Sequence, residues 1–113
     1  MQYALLICQD EVAYDALPPD EAAASTAQYE AFMAKVGDRL LGGARLRPTT
    51  ESTTVRVRDD KVLTTDGPFA ETKEQVGGFY LVEAADLDEA IELASQIPGA
   101  SFGCVEVRPL WPM

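Results

Sequence analysis

The chain has 113 residues, 47% of them hydrophobic, and carries 19 acidic against 9 basic side chains, a formal net charge of −10. This length suits one domain spanning residues 1–113, and so acidic a surface repels phosphate backbones, which argues against nucleic-acid binding. The sequence contains no histidine, which excludes Ser-His-Asp and Cys-His catalysis and imidazole-bound metals.

The first predicted element is a strand over residues 3–9, apolar on both of its alternating faces. Its apolar run is too short for a signal peptide and lacks a basic segment before it. No run of roughly 18 apolar residues occurs in the chain, so we expect a cytoplasmic protein without a membrane segment. Cys8 in this strand and Cys104 near the end of the chain are expected to be small buried hydrophobic residues. An acidic loop is predicted for residues 10–17.

A helix is predicted to begin at Pro18 and Pro19, because proline suits the first turn of a helix. Apolar residues then recur at helical spacing and predict one buried face. We expect Gly42 and Gly43 to stop this helix and residues 44–47 to form a short strand. The positions expected on the apolar face are Ala22, Tyr29, Phe32, Met33, Val36 and Leu40.

Residues 53–58 and 62–65 flank the polar turn 59–61 and predict a β-hairpin with a charged outer face. A strand that is apolar on both sides is predicted for residues 77–83, and a last strand for residues 102–107. Between these two strands a second helix is predicted, from a cap in residues 86–89 to a stop at Pro98 and Gly99. Its expected inward positions are Leu87, Ala90, Ile91 and Ala94.

Without the hairpin, this order is the βαββαβ unit of a ferredoxin-like α+β fold, with the hairpin as an insertion. Two helices cover only one face of such a sheet, yet the strands at residues 3–9 and 77–83 are apolar towards both faces. A large apolar face is not left exposed in most monomers. We therefore expect a homodimer packed sheet to sheet, with Leu110 and Trp111 of the tail packed against the partner.

The run Asp66-Gly67-Pro68-Phe69-Ala70-Glu71-Thr72-Lys73-Glu74-Gln75 resembles the signature of the YCII-related family, in its DGPF-domain branch. The segments MQYALLICQDE, GGARLRP, TTVRVRD and GGFYLVEAADLDEAIELASQIPGA are similar to that family as well. The resemblance implies a dimeric α+β barrel. It also implies a possible sigma-factor partner, since members of this branch often accompany extracytoplasmic-function sigma factors. The wider family includes a few enzymes that act on small ring compounds, and its shorter members carry a His-Asp pair that this chain lacks.

Three functions follow as hypotheses. The first is a homodimer that binds a small molecule in a regulatory setting linked to a sigma factor. The second is a lyase or isomerase acting on a small ring compound with Asp66 and a tyrosine or lysine. The third is a protein-interaction scaffold without a ligand.

Asp66 is the candidate catalytic residue, because a carboxylate at a strand end beside a proline-held loop can be partly desolvated. Its alternative role is to accept backbone hydrogen bonds in a turn. Arg45 is a candidate ligand for an anion, or alternatively pairs with one of the abundant acidic residues. Tyr80, if buried, needs a hydrogen-bond partner or offers its hydroxyl to a pocket. Phe69 and Lys73 complete the candidate ligand-binding set, with Lys73 either solvated among Glu71 and Glu74 or ion-paired over a cavity. We expect no metal and no cofactor, because two cysteines and unclustered carboxylates match no dedicated site.

Overall fold

The computed structural model describes residues 1–112, and the chain order of their helices and strands follows the predicted pattern with additions. The elements are β1 (Gln2–Gln9), α1 (Glu11–Asp15), α2 (Pro19–Val36), β2 (Leu40–Arg45), β3 (Thr53–Arg58), β4 (Lys61–Asp66), β5 (Gln75–Glu83), α3 (Leu87–Ser95), α4 (Gly99–Phe102) and β6 (Cys104–Pro109). Short 3-10 turns lie at Gly37–Arg39 and Thr49–Glu51. Within the described part of the chain, no helix has the length and apolarity that crossing a membrane requires.

The main sheet has four strands in the order β2-β5-β1-β6, and every pairing in it is antiparallel. The two central strands, β1 and β5, are the ones whose sequences are apolar on both faces. With α2 following β1 and α3 following β5, this is the ferredoxin-like α+β arrangement. The predicted fold class is confirmed.

The buried core lies between this sheet and the two long helices. Phe32 and Val36 of α2 pack there with Leu5 of β1 and Val82 of β5. The buried positions of α3 and the turn that follows it are Ala90, Leu93, Ala94 and Ile97. They follow the i, i+3, i+4, i+7 spacing of a helix face. The prediction that Leu87 and Ile91 face inward was wrong, because both are 50% exposed. Leu87 is the first residue of α3, and Ile91 lies off this stripe.

The end of α2 differs from the prediction. The helix ends at Val36, where Gly37 adopts a φ of 56° and its N–H donates to the carbonyl of Met33. Gly42 and Gly43 therefore lie inside strand β2 and do not stop a helix. Gly43 instead lets the backbones of β2 and β5 approach closely, since a Cβ there would lie 2.5 Å from the carbonyl oxygen of Phe79.

The segment predicted as an acidic loop contains the short helix α1. Asp10 caps this helix by accepting hydrogen bonds from the N–H groups of Val12 and Ala13, at 3.1 and 3.3 Å. The predicted stop at Pro98 and Gly99 is the start of another short helix, α4, which delays the last strand to Cys104. Both additions come from local capping and turn geometry, which the apolar periodicity of the sequence does not record.

The sheet face opposite the long helices will be called the open face, defined by Ala4, Leu6, Cys8, Phe79 and Leu81. The register places Leu6 beside Phe79 and Ala4 beside Leu81. Alternation along β1 and β5 turns these side chains away from the core residues of the same strands. Leu6, Phe79 and Leu81 are only partly buried in one chain. This is the second apolar face expected from the sequence.

Strands β3 and β4 form a hairpin arm, Thr53–Asp66, and pair only with each other among the described strands. Asp59 and Asp60, with φ of 50° and 62°, make its two-residue turn. The base of the arm is tied to α1, because the Glu11 carboxylate accepts from the N–H and the hydroxyl of Thr49 at 3.0 and 2.7 Å. The exposed apolar residues of the arm are Val55, Val57, Val62 and Leu63.

The two cysteines lie directly opposite each other on β1 and β6. Cys8 is partly buried and burial raises the pKa of its thiol. Cys104 is exposed, so the expectation of two buried cysteines was wrong for this residue. It begins the edge strand β6, where only one neighbouring strand covers it.

Just past β6, the N–H of Leu110 donates a hydrogen bond to the carbonyl oxygen of Gln2, at 2.9 Å. Trp111, the next residue, is 89% exposed in one chain. Its packing against a partner subunit stays a prediction.

Candidate functional site

A cavity of about 310 Å³ lies between α2 and the main sheet, with α1 at one end. Strand β1 contributes Ile7 and Gln9, and helix α2 contributes Thr26, Tyr29 and Met33. The remaining lining residues are Tyr14 of α1, Gly43, Ala44 and Arg45 of β2, and Gly77, Gly78, Phe79 and Tyr80 of β5. The wall is thus mainly apolar and aromatic, with a few polar groups set into it.

Of the tyrosines that line the cavity, Tyr29 has the most strongly raised pKa. Burial raises its pKa to about 12, and the nearby hydroxyls of Tyr14 and Tyr80 act in the same direction. The backbone N–H of Gly99 and the charge of Arg45 oppose this rise only in part. At neutral pH Tyr29 is therefore an un-ionised hydroxyl with a proton available for donation.

Tyr14 closes the end of the cavity near α1 and is held on two sides. Its hydroxyl and the buried Ser25 hydroxyl form a hydrogen bond of 2.9 Å. Its ring meets the ring of Phe102 in an edge-to-face contact, with centroids 5.6 Å apart. These contacts join α1, α2 and α4, so this wall of the cavity is fixed by three elements.

Arg45 and Tyr80 lie on the face of the sheet that carries the helices. The register sets Arg45 beside Gly78, and Gly43 beside Tyr80. The Tyr80 ring packs against Phe32, with centroids 5.2 Å apart, and burial raises the pKa of its hydroxyl. Across residues 1–112 no carboxylate forms an ion pair with Arg45, so its guanidinium is available to an anionic ligand.

Gln9 ends β1 inside the cavity. Its side-chain oxygen is buried and has no hydrogen-bond partner among the described residues. The residue was not a candidate on sequence grounds, since a glutamine at a strand end gives no signal of its own. Tyr29 was interpreted as packing, and only its position opposite β2 and β5 reveals its hydroxyl in a cavity.

The similarity to known proteins extends over nearly the whole chain. The model of the YCII-related domain matches residues 1–113. The chain belongs to the YCII-related domain family. An uncharacterized protein of Rhizobium meliloti (strain 1021) is 41% identical over 114 residues, covering 97% of this chain and 92% of the relative.

Among solved structures, this YCII-related chain is similar to 5-chloro-2-hydroxyhydroquinone dehydrochlorinase from Burkholderia phenoliruptrix AC1100, determined in complex with 2,5-dihydroxybenzoquinone. The TM-score is 0.58 at 14% identity, and the match covers 98% of this chain and 94% of the other. At this identity the likeness establishes the shared fold.

The structure brings two of the predicted site residues, Arg45 and Tyr80, together in the cavity. The other three lie outside its lining. Asp66 is exposed at the end of β4, opposite Thr53. Phe69 is 82% exposed, with the guanidinium of Arg56 5.6 Å from its ring centroid. Within one chain, the DGPF turn (residues 66–69) contributes no residue to the lining of the cavity.

The charged segment after the DGPF turn is held by local hydrogen bonds. The Thr72 hydroxyl donates to the carbonyl of Glu74 at 2.6 Å, and the Gln75 amide donates to the carbonyl of Ala70 at 3.2 Å. Lys73 is exposed, and no carboxylate within residues 1–112 pairs with it. Of the two interpretations of Lys73, the structure favours the solvated one.

Proposed function

We propose that this YCII-related protein is a homodimer that binds a small oxygen-substituted ring compound in the cavity between α2 and the main sheet. The observation that carries the proposal is the cavity itself, with its aromatic wall and few polar groups. Binding sites for small molecules have this character, because apolar surface supplies affinity and a few polar groups fix orientation.

The size of the cavity fits one ring. A cavity of about 150 Å³ holds benzene, and the cavity here measures about 310 Å³. The additional space accommodates polar substituents. Tyr29 and Arg45 can then meet oxygen atoms of the ligand, one as a hydroxyl donor and the other as a cation.

The similar solved structure supports an oxygen-substituted ring compound as the class of ligand. That dehydrochlorinase was determined with 2,5-dihydroxybenzoquinone, a single ring with four oxygen atoms. The identity of 14% carries the fold alone, so we adopt the ligand class as a proposal because this cavity independently has the size and the lining for it.

The dimer is supported by the open face. Leu6 and Leu81 sit at its centre and are only partly covered in one chain. A second copy packed on this face would bury on the order of 1,000 Å² per subunit, a size typical of stable dimers. Two-fold packing of this kind is compatible with ligand binding, because most of the residues that line the cavity lie on the helix side of the sheet.

Binding is favoured over acid–base catalysis by the composition of the cavity. Its described lining contains no aspartate, glutamate or lysine. A tyrosine with a pKa of about 12 is a weak candidate for a base at neutral pH. A lyase or isomerase using Asp66 would need that residue to reach the cavity of the partner subunit.

The sigma-factor link stays a prediction from the family resemblance.

The test is calorimetric titration of the protein with 2,5-dihydroxybenzoquinone. Met33→Trp should fill the cavity and weaken binding by about tenfold or more, since it removes the space that the ring requires. Ala24→Trp is the matched control, because it adds the same side chain at an exposed position of α2 outside the cavity. Equal binding by the parent and both variants would refute the cavity as the site.

A further inference from the structure

Gln9 has hydrogen-bonding capacity that the chain does not use. Its side-chain oxygen is buried and has no hydrogen-bond partner within the described residues. A buried polar atom without a partner is unfavourable, and most such atoms in native proteins are satisfied by protein, water or ligand. The carboxamide therefore points to a group that arrives from outside the chain.

Two glycines and the Tyr29 hydroxyl lie beside the Gln9 carboxamide. The carboxamide lies between Gly77 and Gly99: a Cβ on Gly77 would be 3.3 Å from the amide nitrogen, and a Cβ on Gly99 would be 3.8 Å from the oxygen. The same point on Gly99 is 2.9 Å from the Tyr29 hydroxyl. The absence of side chains on Gly77 and Gly99 thus lets a carboxamide and a phenol pack closely at one end of the cavity.

Arg45 supplies a different chemistry in the same cavity. It is on β2, on the face that carries the helices, and no side chain within residues 1–112 neutralises it. A guanidinium in this setting favours an anionic oxygen. The carboxamide of Gln9 favours a group that both donates and accepts a hydrogen bond, which holds for either orientation of the amide.

We propose that the cavity is selective for a single ring carrying both an anionic group and a hydroxyl. The anionic group pairs with Arg45, and the hydroxyl donates to and accepts from the Gln9 carboxamide, with Tyr29 as a further donor. Hydroxybenzoates are the simplest compounds of this class. This inference rests on the proposed function and adds to it the pattern of polar groups that the ligand must carry.

Selectivity against rings without the hydroxyl follows from the same geometry. A site built to bond a hydroxyl rejects the analogue that lacks it, because the buried polar groups of the site are then left unpaired. Benzoate would keep the charge for Arg45 but leave Gln9 without a partner. The hydroxyl, and not the carboxylate alone, then sets the ligand preference.

The experiment compares the 2-, 3- and 4-hydroxybenzoates with benzoate by calorimetric titration. We expect the preferred isomer to bind about tenfold or more tightly than benzoate, the size of one hydrogen bond to a buried group. In Gln9→Met, which keeps the side-chain length, this ratio should fall to about one. Arg45→Gln should weaken the hydroxybenzoate and benzoate alike, which separates the two roles.

Two outcomes would overturn the inference alone: a ratio near one in the parent, or a large ratio that persists in Gln9→Met. The first needs no variant and so does not depend on the folding of Gln9→Met, whose melting temperature is checked alongside. If no ring compound, hydroxylated or not, binds the parent, or if Met33→Trp leaves binding unchanged, the proposed function has failed as well.

Discussion

The side-chain oxygen of Gln9 and the hydroxyl oxygen of Tyr29 face the same glycine, 3.8 and 2.9 Å from where a Cβ on Gly99 would lie. Gly99 starts α4 immediately after Pro98 and is itself buried. The sequence pattern marks this glycine as a helix stop. In the structure, its lack of a side chain gives two polar groups from β1 and α2 room to share one end of the cavity.

Gly99→Ala should lower the free energy of unfolding. The new methyl would lie 2.5 Å from Cγ2 of Ile7 and 2.9 Å from the Tyr29 hydroxyl, and overpacking of this kind costs about 1–3 kcal/mol. Urea unfolding measures the loss. Adding Tyr29→Phe should recover part of it by removing one of the two clashes. A Gly99→Ala protein as stable as the parent would show that this end of the cavity is not tightly packed.

The raised pKa of Tyr29 predicts a loss of stability at alkaline pH. The folded pKa of about 12 lies above the ordinary value of 10, so the contribution of this hydroxyl is complete below pH 10 and is lost as pH rises towards 12. Absorbance at alkaline pH should show one tyrosine titrating near 12 that is absent in Tyr29→Phe. The decline in melting temperature should be shallower in that variant; an identical decline would contradict the assignment.

The elements that sequence predicts well are those with strong local chemistry. Pro18 and Pro19 marked the start of α2, and Asp86 caps α3 by accepting the N–H of Glu89 at 2.9 Å. The hairpin followed from a polar turn between alternating strands. The Gly42-Gly43 pair was misread because a glycine that stops a helix and one that permits close strand packing look the same in a sequence.

The site was predicted only in part, for a physical reason. Arg45 and Tyr80 carry conspicuous polar groups on a predicted strand, and they line the cavity. Gln9 and Tyr29 become informative only through what surrounds them, which depends on the packing of α2 over the sheet. The DGPF turn stood out because of its turn chemistry, and it forms the connection that leaves the hairpin arm.

Leu81→Glu should convert the proposed dimer into a folded monomer. Leu81 lies on the open face and outside the buried core, so a charge there opposes sheet-to-sheet packing without entering the core. Sedimentation at micromolar concentration measures the change. Ile91→Glu is the control, since it adds a charge at a half-exposed position of α3 on the opposite layer. A parent protein that sediments as a monomer would contradict the dimer.

We expect Trp111 to report on the same proposed interface. Its side chain is 89% exposed in one chain. An exposed indole has the fluorescence emission maximum of tryptophan in water. We expect blue-shifted fluorescence in the parent dimer, because the partner subunit covers the ring, and red-shifted emission in Leu81→Glu. Equal, water-like emission from both proteins would show that the tail does not pack on the partner.

The Asp66→Asn variant tests whether the DGPF turn contributes to ligand binding in the cavity. Asp66 is exposed and outside the cavity lining, so we expect a change in unfolding free energy of about 1 kcal/mol or less and unchanged ligand binding. Calorimetric titration and thermal melting measure the two effects. Loss of binding with an unchanged melting temperature would instead place this carboxylate in the site, supplied by the partner subunit.

The most direct test of the account is a crystal structure of the protein grown with the hydroxybenzoate isomer that binds best. We expect one ring per chain between α2 and the main sheet, with its anionic group at Arg45 and its hydroxyl at the Gln9 carboxamide. Ligand density on the open face or beside the DGPF turn, with the cavity filled only by water, would contradict it.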